Sequence, residues 1–253
     1  MTSSDYQQTI QDIISQIGNN GASPYVLFSG GKDSLAALSL VIEACKSLNR
    51  KVVAVHADTT VGIPDNLGYV TTTCQHLGSE LVIVRPEKDY FELAQRKGLP
   101  RFGARWCCGE LKVKPLSNYF LSQPGDKIIF DGIRSEESKP REAMPKFSWH
   151  KYFLGYVYHP IKDWTTEQLY SYLADKNLSI NPLYAKGFRR ASECWCGVFK
   201  GVAEFKILKD AYPEFFNRLV ELEASMRNGG SYLFKNGKRV YLRDLLKDNG
   251  NGD

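Results

Sequence analysis

The sequence predicts an α/β fold: a doubly wound parallel sheet followed by a mostly helical C-terminal subdomain. Between residues 25 and 133, short apolar runs alternate with segments whose apolar residues recur at helical spacing. That is the pattern of strands joined by crossover helices. After residue 141 the alternation stops. Polar clusters also follow the strands, at residues 29–34, 58–60 and 134–141. Ligands of open α/β sheets bind outside the carboxyl ends of the strands, so these clusters mark one expected site. We place the α/β core at residues 1–145 and the subdomain, which carries the second cysteine pair, at 146–253.

The elements read as follows. Residues 5–17 form a leading helix with Ile10, Ile13, Ile14 and Ile17 on one face. YVLF (25–28) is a short buried strand, and 33–48 a helix carrying Leu35, Leu38, Cys45 and Leu48. KVVAVHAD (51–58) and ELVIVRP (80–86) are strands that flank a helix at 65–77. A helix covers 89–97 and another 110–122, with Pro115 near its start or kinking it. KIIFDGI (127–133) is the fourth strand. YFLGYVYHPI is a strand or hairpin, and TTEQLYSYLADKN opens with a capping box, Thr165 to Gln168. Helices are expected at 201–211 and 213–227, then a hairpin turning at Asn236-Gly237 and a disordered tail from Lys247.

The chain has 253 residues, enough for one large domain or a domain with a subdomain. No apolar run approaches a membrane span, and the N-terminal segment lacks the basic and apolar regions of a signal peptide, so a cytoplasmic protein without membrane contact is expected. The net charge of +5 fits a nucleic-acid or polyphosphate partner but is common in proteins with neither. Six cysteines are more informative. Cys45 and Cys74 lie singly in helices, whereas Cys107-Cys108 and Cys194-Trp-Cys196 form two tight pairs. In a cytosolic chain such pairs imply metal or redox chemistry before structural disulfides.

SGGKDS (29–34), between a strand and a helix, is neither a Walker A loop nor a dinucleotide fingerprint. Gly30 and Gly31 let backbone N–H groups approach phosphate oxygens, Ser29 and Ser34 add hydroxyls, and Lys32 adds a charge. The helix N-terminus favours an anion. The hexapeptide resembles the pyrophosphatase loop of the adenine-nucleotide α-hydrolase (PP-loop) superfamily, whose members cleave ATP between the α- and β-phosphates. That resemblance implies ATP as ligand, with Mg²⁺ neutralising the pyrophosphate. Asp33 is then an indirect metal contact or a partner of the helix dipole.

RWCCGELKVKPL (105–116), NPLYAKGFRRASECWCG (181–197), DGIRSEESKPRE (131–142) and HADTTVGIPDNLGYV (56–70) resemble segments of the phosphoadenosine-phosphosulfate reductase family. The matching positions include Cys107, Cys108, Lys112, Pro115, Leu116, Gly132, Arg134, Glu137, Ser138, Arg141, Asp58, Thr59 and Pro64. The resemblance implies that Cys107, Cys108, Cys194 and Cys196 hold a [4Fe–4S] cluster, with Lys112 offsetting charge. Four thiolates also suit zinc, and the one-residue spacing of the later pair departs from the usual two.

Reductases of this family attack the sulfonucleotide with a cysteine near the C-terminus; in this chain no cysteine follows Cys196, and the loop is of the ATP type. The combination resembles the DNA phosphorothioation and tRNA thiolation sulfurtransferases. It implies an ATP pyrophosphatase in which a substrate oxygen attacks the α-phosphate, pyrophosphate leaves, and sulfur, held as sulfide or persulfide, displaces AMP. The implied partners are DNA or tRNA and a sulfur donor such as a cysteine desulfurase. In this reading Ser29, Gly30, Gly31, Asp33 and Ser34 bind pyrophosphate, Lys32 and Arg134 stabilise transferring charge, Asp58 lies on the adenine or ribose side, and Arg141 binds a substrate phosphate. Arg101, Arg105, Lys112, Lys114, Arg189 and Arg190, interleaved with Phe102, Trp106, Phe188 and Trp195, are candidates to track and stack a nucleic acid. His56 and His76 are expected to be packed structural residues. Two alternatives stand beside this: a reductase of APS or PAPS, and a non-catalytic nucleotide or nucleic-acid binding protein with structural zinc. A flavin-nucleotide synthetase would share the loop without needing the paired cysteines.

Overall fold

The computed structural model describes residues 3–190, 194–226, 229–235 and 238–247. In chain order the elements are α1 (Ser3–Asn20), β1 (Ser23–Leu27), α2 (Lys32–Ser47), β2 (Val53–Ala57), α3 (Pro64–Leu77), β3 (Glu80–Val84) and α4 (Tyr90–Lys97). There follow the short α5 (Trp106–Cys108), a π-helical turn Gly109–Val113, α6 (Lys114–Ser122), β4 (Lys127–Phe130), α7 (Lys139–Glu142), β5 (Phe147–His150), β6 (Gly155–Tyr158) and α8 (Thr166–Asp175). The remainder comprises α9 (Val202–Ala211), α10 (Pro213–Ala224), β7 (Leu233–Lys235), β8 (Lys238–Val240) and α11 (Asp244–Lys247). Two compact units interleave along the chain: residues 1–57, 65–84 and 115–181 in the first, 58–64, 85–114 and 182–253 in the second.

The first unit is built on a six-stranded sheet of order β3-β2-β1-β4-β6-β5. The pairs from β3 to β6 are parallel and only β5 runs antiparallel, against β6. The four strands expected from the apolar runs are thus joined by a hairpin, with β6 parallel to β4. One apolar layer gathers Ile13 and Ile17 of α1, Leu35, Leu38 and Val41 of α2, and Val26, Ile128 and Phe130 of the sheet. The other gathers Tyr25, Val55, Ile129 and Val157 with Leu116 and Phe120 of α6. Alternate residues of β1 and β4 therefore face opposite layers, as in a sheet buried on both sides. The capping box of α8 is present: Gln168 N–H donates to Thr165 Oγ1 at 3.2 Å and Thr165 N–H to Gln168 Oε1 at 2.8 Å.

The second unit is mostly helical. Its apolar cluster joins Tyr90 and Leu93 of α4, Phe205 and Leu208 of α9, Phe216 and Leu219 of α10, and Leu233 and Leu242. Buried Glu223 ties the β7–β8 ribbon to α10 by accepting the N–H groups of Tyr232 (3.0 Å) and Leu242 (2.6 Å). The ribbon pairs Leu233 with Val240; its expected turn, Asn236-Gly237, and the tail beyond 247 lie outside the described residues. Among the described residues no helix is long and apolar enough to cross a membrane.

Candidate functional site

In the first unit the parallel neighbours β1 and β4 send two turns out of their carboxyl ends, at 28–31 and 131–134. Strand order reverses direction between them, at the crevice where such sheets bind ligands. Gly30 has φ +84°, and a Cβ there would meet Asn66 Oδ1 at 2.3 Å. Asn66, fully buried, donates from Nδ2 to the Ser29 carbonyl (3.1 Å). Asn181, also buried, donates to the Gly30 carbonyl (3.2 Å) and to Asn66 Oδ1 (2.9 Å). Because each peptide is planar and trans, pinning those two carbonyls turns the N–H groups of Gly30 and Gly31 the other way. Gly31 caps α2 with no side-chain hydrogen bond to the helix. Ser34 Oγ accepts the Ser29 N–H (3.3 Å), lies 3.1 Å from Ser29 Oγ and donates to the Gly31 carbonyl (3.0 Å). The result is a rigid turn leading into an uncapped helix N-terminus, a site with anion-binding character.

The charges around this turn are tied to one another. Asp33 accepts from Lys32 Nζ (2.8 Å) and from Arg134 Nε (2.6 Å). Arg134 is buried and also donates to Glu136 (2.7 Å), the Trp164 carbonyl (3.2 Å) and Thr166 Oγ1 (3.3 Å). Burial works against its charge, but the hydrogen bonds and charges of Asp33 and Glu136 outweigh it and raise the Arg134 pKa. Gly132 packs directly on the start of α2: a Cβ there would lie 2.4 Å from the Asp33 carbonyl carbon and 2.5 Å from the Ser34 nitrogen. Beside it His159 Nδ1 and Asp131 Oδ1 are 2.6 Å apart, and Asp131 accepts the Ile133 N–H (3.0 Å). Arg141 of the short α7 pairs with Glu137, just before that helix. His56 is packed, with Nδ1 2.7 Å from the Phe28 carbonyl. His76 departs from expectation: it is exposed in the last turn of α3, while Cys74 and Leu77 of the same turn take the core face.

In the second unit the four paired cysteines meet. Their side chains interact in the order Cys108, Cys107, Cys196, Cys194. The hydrogen bond to Cys108, with burial, pushes the Cys107 thiol up to about 12. The same bond, helped by Lys112, brings Cys108 down to about 7. Cys196 is pushed up to about 11 by its bond to Cys107, and Cys194 is raised by its bond to Cys196 and by burial. All six cysteines are free thiols. The donor set therefore fits a sulfur-ligated centre in chemistry and proximity, although among the described residues no three His, Cys, Asp or Glu side chains are arranged as a metal-binding group.

Local structure explains the meeting. α5 runs straight into the π-helical turn, with Lys112 near its end and Pro115 just beyond it in α6; such turns recur at functional sites. On the other side, Trp195 N–H donates to the Val61 carbonyl (2.7 Å), and Gly197 has φ +89° with Tyr232 so close that a Cβ would meet it at 2.3 Å. Half-buried Lys200 lies 4.3 Å from the Trp195 ring and pairs with Glu204 (3.2 Å). Asp58 pairs with Arg85 (2.7 Å) and accepts the Thr60 N–H (2.9 Å), so it stabilises its own turn.

Two of the four aromatics expected to stack on a nucleic acid are core residues: Phe188 and Trp195 are buried. Trp106 is half-buried, stacked on Tyr90. Phe102 alone is fully open, and its neighbour is Phe199, a residue the sequence reading missed. Asn66, Asn181 and Lys200 were also missed. The Asn-Pro step at 181–182 was the one available hint.

The sheet order and the glycine turn running into α2 define a PP-loop α/β protein. The chain matches the phosphoadenosine phosphosulfate reductase domain over residues 23–195 and belongs to that family. An uncharacterized protein of Methanocaldococcus jannaschii is 29% identical over 200 residues, 77% of this chain and 46% of that protein. The adenosine 5′-phosphosulfate reductase of Pseudomonas aeruginosa is 24% identical over 74% of this chain and 72% of its own length. The chain spans only 46%, 40% and 51% of three of the curated relatives it matches. The fold is shared with the phosphoadenylyl-sulfate reductase of Candida auris (TM-score 0.55, 16% identity, 75% of this chain and 94% of that one). It is shared equally with the U34-tRNA thiolase NcsA of Methanococcus maripaludis, solved with its [4Fe–4S] cluster (TM-score 0.55, 16% identity, 88% and 80%).

Proposed function

We propose that this protein is an ATP pyrophosphatase of the PP-loop type that adenylates a nucleic-acid substrate for iron–sulfur-assisted sulfur transfer. The observation that carries the reading is the glycine turn. Asn66 and Asn181 hold its carbonyls back, so its N–H groups and the uncapped α2 terminus are presented together. Such an array suits the pyrophosphate half of MgATP, which enters as substrate with its own cation. Ser29, Gly30, Gly31 and Ser34 bind the β- and γ-phosphates. Asp33 fixes Lys32 and Arg134 beside them, and these cations steady the charge that develops as the α–β anhydride breaks. A substrate oxygen attacks the α-phosphorus and pyrophosphate leaves. Sulfur supplied by a donor then displaces AMP. Asp58, Lys112 and Arg141 retain the binding roles expected from their motifs.

Cys107, Cys108, Cys194 and Cys196 would hold the [4Fe–4S] cluster. Bound there, it would supply an iron able to carry sulfur once one of the four thiolates is displaced. The mutual contact of the four thiols supports this, as does the thiolase among the structural neighbours, which was solved with such a cluster. A reductase reading is favoured by one observation: Cys108 is the exposed thiol of the four, open to a substrate, and Cys107 and Lys112 beside it favour its thiolate. Curated relatives carry reductase names as well.

Anaerobic purification with metal analysis separates the readings. Iron and acid-labile sulfide, near four of each per chain in a [4Fe–4S] centre, support the proposal. Zinc at about one per chain, as in a four-thiolate site, supports a structural metal. Thioredoxin-dependent sulfite release from APS or PAPS without AMP formation from ATP supports the reductase.

A further inference from the structure

The second unit carries an open aromatic array that the proposed chemistry does not use. Arg101 and Ala104 close a tight turn through paired backbone hydrogen bonds (3.3 and 2.9 Å), with Phe102 and Gly103 at its tip. Phe102 is 74% exposed. Its ring meets that of Phe199, 53% exposed, edge to face at 5.9 Å. The Arg105 guanidinium lies 5.7 Å from the centre of each ring, so one cation is layered against two phenyl groups. Large apolar rings held at a turn tip in contact with solvent are the residues a surface should shed unless something covers them.

The charge around the array names the partner. Residues 95–114 hold six cations (Arg96, Lys97, Arg101, Arg105, Lys112, Lys114) and one carboxylate, Glu110, which is paired to Lys97. That stretch alone carries as much net positive charge as the whole chain, +5. The same turn borders a cavity of about 730 Å³ whose wall includes Arg96, Arg101 and the Trp106 indole. Among the described residues neither Arg96 nor Arg101 forms an ion pair. An acidic protein surface would satisfy the charge but has no use for two open ring faces. Unpaired bases strung on phosphates satisfy both.

We infer that Phe102, Arg105 and Phe199 form a stacking platform for unpaired bases of single-stranded nucleic acid, with Arg96 and Arg101 beside it contacting phosphates. This rests on the substrate class proposed above and sharpens it: the protein would engage an unpaired stretch and not a duplex.

The test uses fluorescently labelled 20-mers of oligo-dT and oligo-U, and a duplex of the same length, with anisotropy measured at fixed salt and without ATP. Wild-type protein is expected to bind a single strand at least about tenfold more tightly than the duplex, and whether oligo-dT or oligo-U binds more tightly names the strand. Base–aromatic stacking is typically lost on alanine substitution, so Phe102→Ala and Phe199→Ala should each weaken single-strand binding about tenfold. Arg105→Lys keeps the charge but loses the planar layer and should weaken binding several-fold. Phe234→Ala, which removes another exposed ring, should bind as wild type. Unchanged thermal midpoints verify folding. Wild-type affinity in both phenylalanine variants, or duplex binding as tight as single-strand binding, overturns the inference. Strand binding without AMP formation from ATP refutes only the proposed reaction; AMP formation with no platform effect refutes only the platform.

Discussion

Gly132→Ala probes how β4 sets the glycine turn. The added Cβ would lie 2.4 Å from the Asp33 carbonyl carbon, 2.5 Å from the Ser34 nitrogen and 2.6 Å from the Asp33 oxygen, all backbone atoms. Ordinary contact begins near 3.4 Å, so the start of α2 and the 131–134 turn must separate by about 1 Å, at an overpacking cost of about 1–3 kcal/mol. For a protein of this size that lowers the thermal midpoint by about 2–12 °C. The displaced atoms are the backbone of Asp33 and Ser34, and a misplacement of about 1 Å at a reacting centre can cost on the order of 100-fold in rate. The assay pairs thermal unfolding with ATP binding by calorimetry and pyrophosphate release. Gly68→Ala is the control, since nothing lies within 4 Å of its Cβ position in α3; it should leave ATP binding unchanged and stabilise slightly. A Gly132→Ala protein with wild-type midpoint and wild-type ATP affinity would refute the reasoning.

Arg134→Met removes a buried cation and its hydrogen bonds to Asp33 and Glu136 and should cost about 1–3 kcal/mol, read by urea unfolding; a loss below about 0.5 kcal/mol would contradict its place in the network. Asn66→Ala strips the Ser29 carbonyl and Asn181 of their buried partner, so a cost of about 1–3 kcal/mol is expected together with weakened ATP binding in the same calorimetric assay. Burial lowers the His150 pKa below its usual 6.5, only partly offset by Asp131, while its ring stacks on Phe153 at 3.9 Å. The unfolded chain therefore takes up the proton first, and stability is lost as pH falls from 6.5 toward the folded value. His150→Phe should keep the stack and show a smaller fall in thermal midpoint over that range; an identical fall would contradict this. Gly197→Ala drives a Cβ into the Tyr232 ring from a left-handed backbone, and a lower midpoint with reduced metal content on purification is expected.

The parallel sheet was legible because its strands are short apolar runs, such as VLF and IIF, set between longer helical repeats. The β5–β6 hairpin was harder. Its β5 alternates the wrong way round: apolar Phe147 and Trp149 are exposed while Ser148 and His150 are half-buried, so the apolar residues do not mark the core face. The glycine turn between β1 and α2 was readable from its spacing, but its supports were not. Asn66 lies 37 residues from Ser29, Asn181 lies 115 from Asn66, and no local pattern signals an amide that works across such a gap. The cysteine pairs were visible by spacing, whereas Phe188 and Trp195 were misjudged because a ring beside arginines serves a core as readily as a surface. Only the fold separates Phe102, at a turn tip, from its buried counterparts.

Central to the account is cleavage of ATP at its inner anhydride by the turn at 29–34. The most direct measurement incubates the anaerobically purified protein with MgATP labelled at the α-phosphate and single-stranded nucleic acid, then separates the nucleotide products. The account predicts labelled AMP with an equal amount of pyrophosphate, both lost in Arg134→Met. Labelled ADP, or unchanged ATP under conditions where APS or PAPS yields sulfite, would contradict it.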